Sequence, residues 1–434
     1  MSKFVHFIII IFFSSALLAT INPEDLFLIK PEFKDLENPT KEEMHSFIEE
    51  LKKPINTEPP KSGILTREEL QEDIDYLLFI MNNVYIGKDF IDKADFKMAL
   101  DALEFIKDET DAVFIWDLCT DINKALKLNI RDEHLSISSS NIYLLQLCGD
   151  YKKPNPARRS DIGVNIADEN PDKLWNLKTD TVNNTEIKIV GIKESLDEND
   201  LGFDGFENKH QEIISAKAVV IDFRGNLGGD QPCNNFISKF LSKKKRLYYP
   251  KRYYPYSPSA LAMRVSMDEY EAMEELRNNI TPDPTRIESI FNRIAEYGNS
   301  VYNNLSGYDI RQGSRFRGKA KNDYNGTIIV LIDSLVASSA EDSVYLLKEL
   351  DKAIEPEKRN VLLIGQNSAG AYHYGGHGFA ILPNSRLLIK VGARYLEPDD
   401  GINIEGVGFE PDIIVENGQD ALVVAKEYLA GILN

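Results

Sequence analysis

Three short apolar runs, each ending in a turn of small residues, constrain this chain more than anything else in it. Ala218-Val-Val-Ile-Asp-Phe enters Arg224-Gly-Asn-Leu-Gly-Gly, Thr327-Ile-Ile-Val-Leu-Ile-Asp leads through Ser334 to Ser339, and Val361-Leu-Leu-Ile stops at Gly365. Runs apolar at every position must be buried on both faces, and helical patterns follow the first two. This predicts an α/β core, a parallel sheet with helices packed on it. The pattern Phe379-Ala-Ile-Leu, Pro383-Asn-Ser, Leu387-Leu-Ile-Lys-Val adds antiparallel strands, and residues 418–433 read as a C-terminal helix.

Upstream the periodicity changes to helical. Thr66-Arg-Glu-Glu is a capping-box pattern, and Leu70, Ile74, Leu77, Leu78 and Met81 follow it at helical spacing. Further helices are expected around Asp95 to Lys107 and Asp111 to Leu126, making residues 63–130 an N-terminal helical domain. Residues 131–215 look mixed and strand-like, with Glu186 to Ile192 the clearest strand. The α/β core then occupies 216–434, interrupted by an insertion at 242–318 that carries the Tyr-rich basic strip Lys243 to Tyr256. Its part from Tyr248 to Tyr256 reads either as a substrate-facing lid or as a hydrophobic anchor for the insertion.

At the amino end, Lys3, the apolar run Phe7 to Phe13 and the small residues up to Ala19 predict a signal peptide over 1–19. A proline-punctuated linker, 20–62, carries one short helix around Glu42 to Lys52. The mature chain is thus expected to be exported, periplasmic or extracellular, without stable membrane insertion. The 434 residues suffice for two or three domains. With 50 Lys+Arg against 69 Asp+Glu the net charge is −19, which argues against a phosphate-backbone binder and so against a nucleic-acid partner. Cys119, Cys148 and Cys233 are too few for a disulfide framework and lack metal-ligand spacing; one bridge is possible.

Three loop features could carry chemistry. Gly225, Gly228 and Gly229 turn the chain at the carboxyl end of a parallel strand, where their N–H groups could form an oxyanion hole or simply a tight turn. Ser338, between a buried strand and a helix, is by position either a helix cap or a nucleophile aided by the helix dipole. His134, between Asp132-Glu133 and Leu135, is either structural or a general base.

Asp222-Phe-Arg-Gly-Asn-Leu-Gly-Gly resembles the Asp-Leu-Arg-x-Asn-x-Gly-Gly signature of the tail-specific, or carboxyl-terminal-processing, serine proteases. Val330 to Glu341 resembles that family's strand and serine-rich turn. Ala393-Arg-Tyr and Gly406-Val-Gly-Phe-Glu-Pro-Asp-Ile resemble its closing motifs. The three motifs fall in order within residues 216–415.

The resemblance implies a crotonase/ClpP-like α/β core with an N-terminal helical domain and added antiparallel strands, and it puts the nucleophile on Ser338. Many members use a lysine base, but Ala371 stands at that position. The chain is therefore more similar to the tricorn-core-like type with serine, histidine and glutamate, which implies His134 as base and Glu405 as its orienting carboxylate. His373 and His377 are rival bases, Glu397 and Glu341 rival carboxylates, and Asn226 a turn stabiliser. Backbone N–H groups of Gly228 or Gly229 and of Ser339 would hold the oxyanion. No peptide-carboxylate loop of the PDZ type is evident between His134 and Ala216. The implied activity is an exported serine endopeptidase acting on protein or peptide substrates through an acyl-enzyme, with no cofactor or metal. The alternative is a non-catalytic ligand- or peptide-binding protein on the same fold; thioester or acyl-transfer chemistry finds no supporting feature.

Overall fold

The computed structural model describes residues 62–109, 112–139, 174–193, 205–229, 250–255, 308–311, 324–352, 360–398, 400–416 and 418–433. The expected signal peptide, nearly all of the linker, most of the insertion, Cys148 and Cys233 lie outside these residues. In chain order come β1 (Ile64–Thr66), α1 (Arg67–Phe79), α2 (Lys93–Glu109), β2 (Ala112–Phe114), α3 (Ile115–Asn129) and β3 (Ser136–Ser139). Next are β4 (Trp175–Val182), β5 (Thr185–Ile192), α4 (Phe206–Ile213), β6 (Ala218–Asp222), β7 (Lys251–Pro255) and β8 (Tyr308–Arg311). Last come β9 (Thr327–Ile332), α5 (Ser339–Lys352), β10 (Val361–Gly365), β11 (Tyr374–Ile381), β12 (Leu387–Glu397), β13 (Ile413–Ile414) and α6 (Ala421–Ile432). Among the described residues no helix is long and apolar enough to cross a membrane.

Two compact units emerge. The first draws on Met1–Tyr151, Tyr253–Ile310 and Tyr374–Tyr395, the second on Lys152–Arg252, Arg311–His373 and Leu396–Asn434. These boundaries differ from those read in the sequence.

In the first unit α1 begins as expected: the Thr66 side chain accepts from Glu69 N–H while the Glu69 carboxylate accepts from Thr66 N–H. Leu70, Ile74 and Leu77 of α1 join Leu103, Leu118 and Ile122 in one core, which also takes in Ile389 and Val391 of β12. Each such side chain, wholly buried, contributes about 1.5–3 kcal/mol. The β11–β12 hairpin belongs to this helical unit rather than to the α/β core. Its turn is fastened by buried Asp73 of α1, which accepts the N–H groups of Asn384 (2.7 Å) and Ser385 (2.9 Å). Strand β3 pairs with β12 antiparallel, matching Ile137 with Ile389 and Ser136 with Lys390. The Tyr-rich strip supplies β7, whose Tyr253 meets Phe90 edge-on and also packs with Tyr308 and Tyr395.

The second unit is a six-stranded sheet of order β13-β10-β9-β6-β5-β4, parallel except for the antiparallel edge strand β4. The fully apolar runs are covered on both sides, as their composition requires. Val219, Ile221, Val330 and Ile332 pack with Ala340 and Val344 of α5. Ala218, Val220, Ile329 and Leu331 pack with Ala421, Ala425 and Leu429 of α6. Strands β4 and β5 thus belong to the core sheet, which starts earlier in the chain than residue 216.

Candidate active site

The carboxyl ends of β6 and β9 bring the glycine turn and Ser338 together. Asn226, wholly buried, organises the turn: its Nδ2 donates to Ile192 O (3.2 Å), its Oδ1 accepts Gly228 N–H (2.9 Å), and its carbonyl accepts Ala337 N–H (3.1 Å). Gly225 N–H donates to Asp333 Oδ1 at 3.1 Å, tying the same turn to the end of β9. Arg224 holds Asp222 through two bonds (2.9 and 2.7 Å) and reaches Asp420, the cap of α6. These contacts make the signature's Asp, Arg and Asn a scaffold for the backbone around Gly228. A side chain at 228 would not fit, because its Cβ would fall 2.6 Å from Ser338 Cβ and 2.7 Å from Ala337 O.

Ser338 is half-buried, immediately before α5, at φ 54°. The other non-glycine residues at positive φ among those described, Asn183, Asn184 and Arg386, sit in hairpin turns. A serine that merely caps a helix takes an extended backbone. Ser338 does not, and left-handed backbone at such a residue costs about 1–2 kcal/mol. Its N–H donates to Ala371 O (3.1 Å), and Asp342 N–H donates to its carbonyl (3.1 Å).

Glu341, one turn into α5 and fully buried, is wholly taken up by the loop that follows β10. Its Oε1 accepts Ser368 Oγ–H (2.5 Å) and Gly370 N–H (2.8 Å), and its Oε2 accepts Ala371 N–H (2.8 Å). Burial pushes its carboxyl pKa up, while bonds from Ser368, Gly370, Ala371 and the Ser338 backbone pull it down. Ser368 Oγ in turn accepts Phe409 N–H (2.7 Å), and Gly406 N–H donates to Gly370 O (2.7 Å). The serine turn and the closing Gly-Val-Gly segment are clamped to one loop.

The family model that matches this chain is Peptidase family S41, over residues 190–415. The chain belongs to peptidase family S41. This makes it a peptidase by family, on an α/β fold. No curated protein matches the chain in sequence. Among solved structures it is similar to mature CPAF complexed with lactacystin, at 12% identity over 84% of this chain and 97% of that one, with a TM-score of 0.51. A putative peptidase from Parabacteroides merdae aligns at 16% identity, 84% and 97% coverage and TM-score 0.46. The photosystem II D1 C-terminal processing protease aligns at 12%, 83% and 97%, with a TM-score of 0.44.

In this S41 chain the second unit holds Ser338, Ser339, Gly228, Gly229 and Glu405, and the first unit holds His134. Glu405 is buried, and its Oε2 accepts the N–H groups of Tyr372 (2.9 Å) and His373 (2.7 Å). The loop 368–373 therefore bonds Ser338 through Ala371 and Glu405 through its next two residues. Ala371 is itself buried.

Two of the expected site residues have their hydrogen-bonding atoms engaged elsewhere. Gly228 N–H, one of the expected oxyanion donors, donates to Asn226 Oδ1. At His373, the rival base, Nδ1 is 2.7 Å from Leu396 O and Nε2 accepts Ile404 N–H at 3.0 Å, so both ring nitrogens meet backbone. Burial lowers its pKa, against bonds to Leu396 and Asn403. The side chain of His377 lies outside the described residues. Among the rival carboxylates, Glu397 is paired with Lys251 at 3.0 Å with 40% of its side chain exposed, and Glu341 is occupied as above.

In the first unit Asp132 Oδ1 accepts the N–H groups of His134 (2.7 Å) and Leu135 (3.2 Å), and Oδ2 accepts Tyr85 Oη–H (2.8 Å). The His134 ring Nδ1 lies 4.0 Å from Asp132 Oδ1. Burial above all, then the charges of Lys390 and Arg394, lower the imidazole pKa to about 3, and burial raises Asp132 to about 6. The sequence reading places Lys390 in a strand and Arg394 in a closing motif but gives neither a role beside His134. Their spacing on β12, out of phase with Ile389 and Val391, was the available signal. A cavity of about 700 Å³ opens where β6 and β9 begin, lined by Lys217, Tyr324 and Thr327, at the opposite end of these strands from Ser338.

Proposed function

We propose that this chain is an exported serine endopeptidase that cleaves protein or peptide substrates through an acyl-enzyme. The observation that carries the reading is Ser338: a non-glycine residue at φ 54°, at the N-terminus of a helix, with a glycine turn pressed against its Cβ. Strain of this kind persists where surrounding contacts over-determine it, and it suits a nucleophile aimed out of its own helix. Ser338 Oγ attacks the peptide carbonyl, His134 takes the hydroxyl proton and returns it to the leaving amine, and water then releases the acyl group by the same route. Glu405 orients the imidazole. The N–H groups of Gly229 and Ser339 receive the oxyanion, the second of them at the positive end of the α5 dipole.

Neutral imidazole is the form a base requires, and the buried setting of His134 supports that form. The subtype of serine, histidine and glutamate is supported by Ala371 in place of a lysine and by the commitment of both His373 nitrogens to backbone. A crotonase/ClpP-like description of the core rests on the same strand-turn-helix arrangement. The test is a fluorophosphonate probe on the full chain with peptide mapping. Label is expected on Ser338 and absent in Ser338→Ala; label persisting in that variant overturns the nucleophile, and near-normal turnover in His134→Ala overturns the base.

A further inference from the structure

On the β3–β12 ladder Ser136 pairs with Lys390, Ile137 with Ile389, and Ser138 with Leu388. His134 stands two residues before β3, in a turn where Leu135 N–H donates to Asp132 O at 3.2 Å, and the charges of Lys390 and Arg394 act on its ring. Leu135 and Ile137 enter the helical core together with Ile389 and Val391. Alternation then assigns Ser136, Lys390, Gly392 and Arg394 to the other face of the sheet.

That face holds two cations with no counter-ion among the described residues. Both are half-buried, and among the described residues neither forms an ion pair. Asp132 acts on Lys390 only at a distance, since its oxygens are given to Tyr85, His134 N–H and Leu135 N–H. Arg394 Nε is buried with no hydrogen-bond partner among the described residues. Its guanidinium lies over Gly375, where a Cβ would come within 2.9 Å of Nη2. Burying unpaired cations is costly unless something anionic completes them. The chain as a whole is strongly acidic, yet none of its described carboxylates fills this place.

We propose that Lys390 and Arg394 hold a carboxylate of the peptide substrate beside His134. This rests on the reading of His134 as the base. The fork of a guanidinium and the point charge of an ammonium suit a carboxylate, whether on an Asp or Glu side chain or at a free C-terminus. A bound anion also offsets the two charges that act on the imidazole, so occupancy of the site favours proton uptake by His134.

The experiment uses full-length Ser338→Ala protein, so binding is read without turnover. Fluorescein-labelled random octapeptide pools are compared by anisotropy in three forms: amidated and uncharged, amidated with one Asp, and uncharged with a free C-terminal carboxylate. At least one carboxylate pool is expected to bind about tenfold more tightly than the uncharged pool, and which one does so identifies the source. Adding Lys390→Met or Arg394→Met is expected to collapse that gap, while Lys390→Arg retains it. Circular dichroism confirms that each variant is folded, and Lys390→Arg covers the case in which Lys390→Met is not. Equal affinity for all three pools, or a preference untouched in both Met variants, overturns the proposal. Normal turnover in His134→Ala would instead overturn the base assignment and leave the binding preference standing.

Discussion

Gly228 and Ser338 are in contact through backbone and Cβ, so closely that a methyl group on residue 228 would stand 2.6 Å from Ser338 Cβ. Residue 228 also has φ 98°, where an L side chain is strained. Gly228→Ala is therefore expected to displace the serine turn. A shift of about 1 Å at a nucleophile lowers kcat/KM by about a hundredfold. Stability should fall by about 1–3 kcal/mol. Peptidase assays alongside urea unfolding measure both; full activity in the variant would show that the contact does not position Ser338.

The strain at Ser338 has a signature of its own. Glycine accepts φ 54° without the Cβ penalty, so Ser338→Gly is expected to abolish turnover and probe labelling while stability holds or rises by up to about 1 kcal/mol. A serine kept only as a helix cap would behave differently, changing stability by a few tenths with activity intact. Thermal unfolding and probe labelling of one variant separate the two roles.

Much of this arrangement was legible in the sequence because local rules govern it. Continuous apolar runs ending in glycine or serine turns specify a doubly covered parallel sheet, and Thr66 with Glu69 announces α1. What stayed hidden depends on contacts between distant segments. That Asp73 fastens a hairpin more than 300 residues later is invisible to periodicity. That Asn226 takes Gly228 N–H, and that Leu396 and Ile404 occupy the two nitrogens of His373, follows from side-chain directions that spacing does not encode.

Glu341 is a positioning residue. Gln at 341 retains one acceptor oxygen but replaces the other with a donor, facing N–H groups of Gly370 or Ala371. Glu341→Gln is expected to cost about 3 kcal/mol, in the range for breaking a buried charged network. It should also lower kcat more than it raises KM, because loop 368–371 holds the backbone of Ser338. Steady-state kinetics check this; an unchanged kcat with lowered stability would restrict Glu341 to the fold.

His373 provides the complementary control. With both ring nitrogens bonded to backbone, His373→Gln is expected to lower stability by about 1–3 kcal/mol without altering the shape of the pH–rate profile. His134→Gln should abolish turnover. If His373→Gln shifts the acid limb of the profile, the imidazole at 373 takes part in proton transfer after all.

Asp132 and His134 make opposite contributions to acid stability. His134 is held at about 3 in the folded chain, against about 6.5 when unfolded, so its contribution is complete above pH 6.5 and is lost as pH falls towards 3. Asp132 is raised from 3.8 to about 6, so its contribution is complete below 3.8 and is lost as pH rises through about 6. Between pH 4 and 6 the two slopes oppose each other, each about 1.4 kcal/mol per pH unit at most. Single variants should separate them. Relative to the parent chain, Asp132→Asn is expected to lose stability more steeply on acidification over that window, and His134→Gln to gain it. Urea unfolding at pH 4, 5, 6 and 7 reads both; parallel profiles for the two variants would mean that neither group carries the shifted protonation assigned to it.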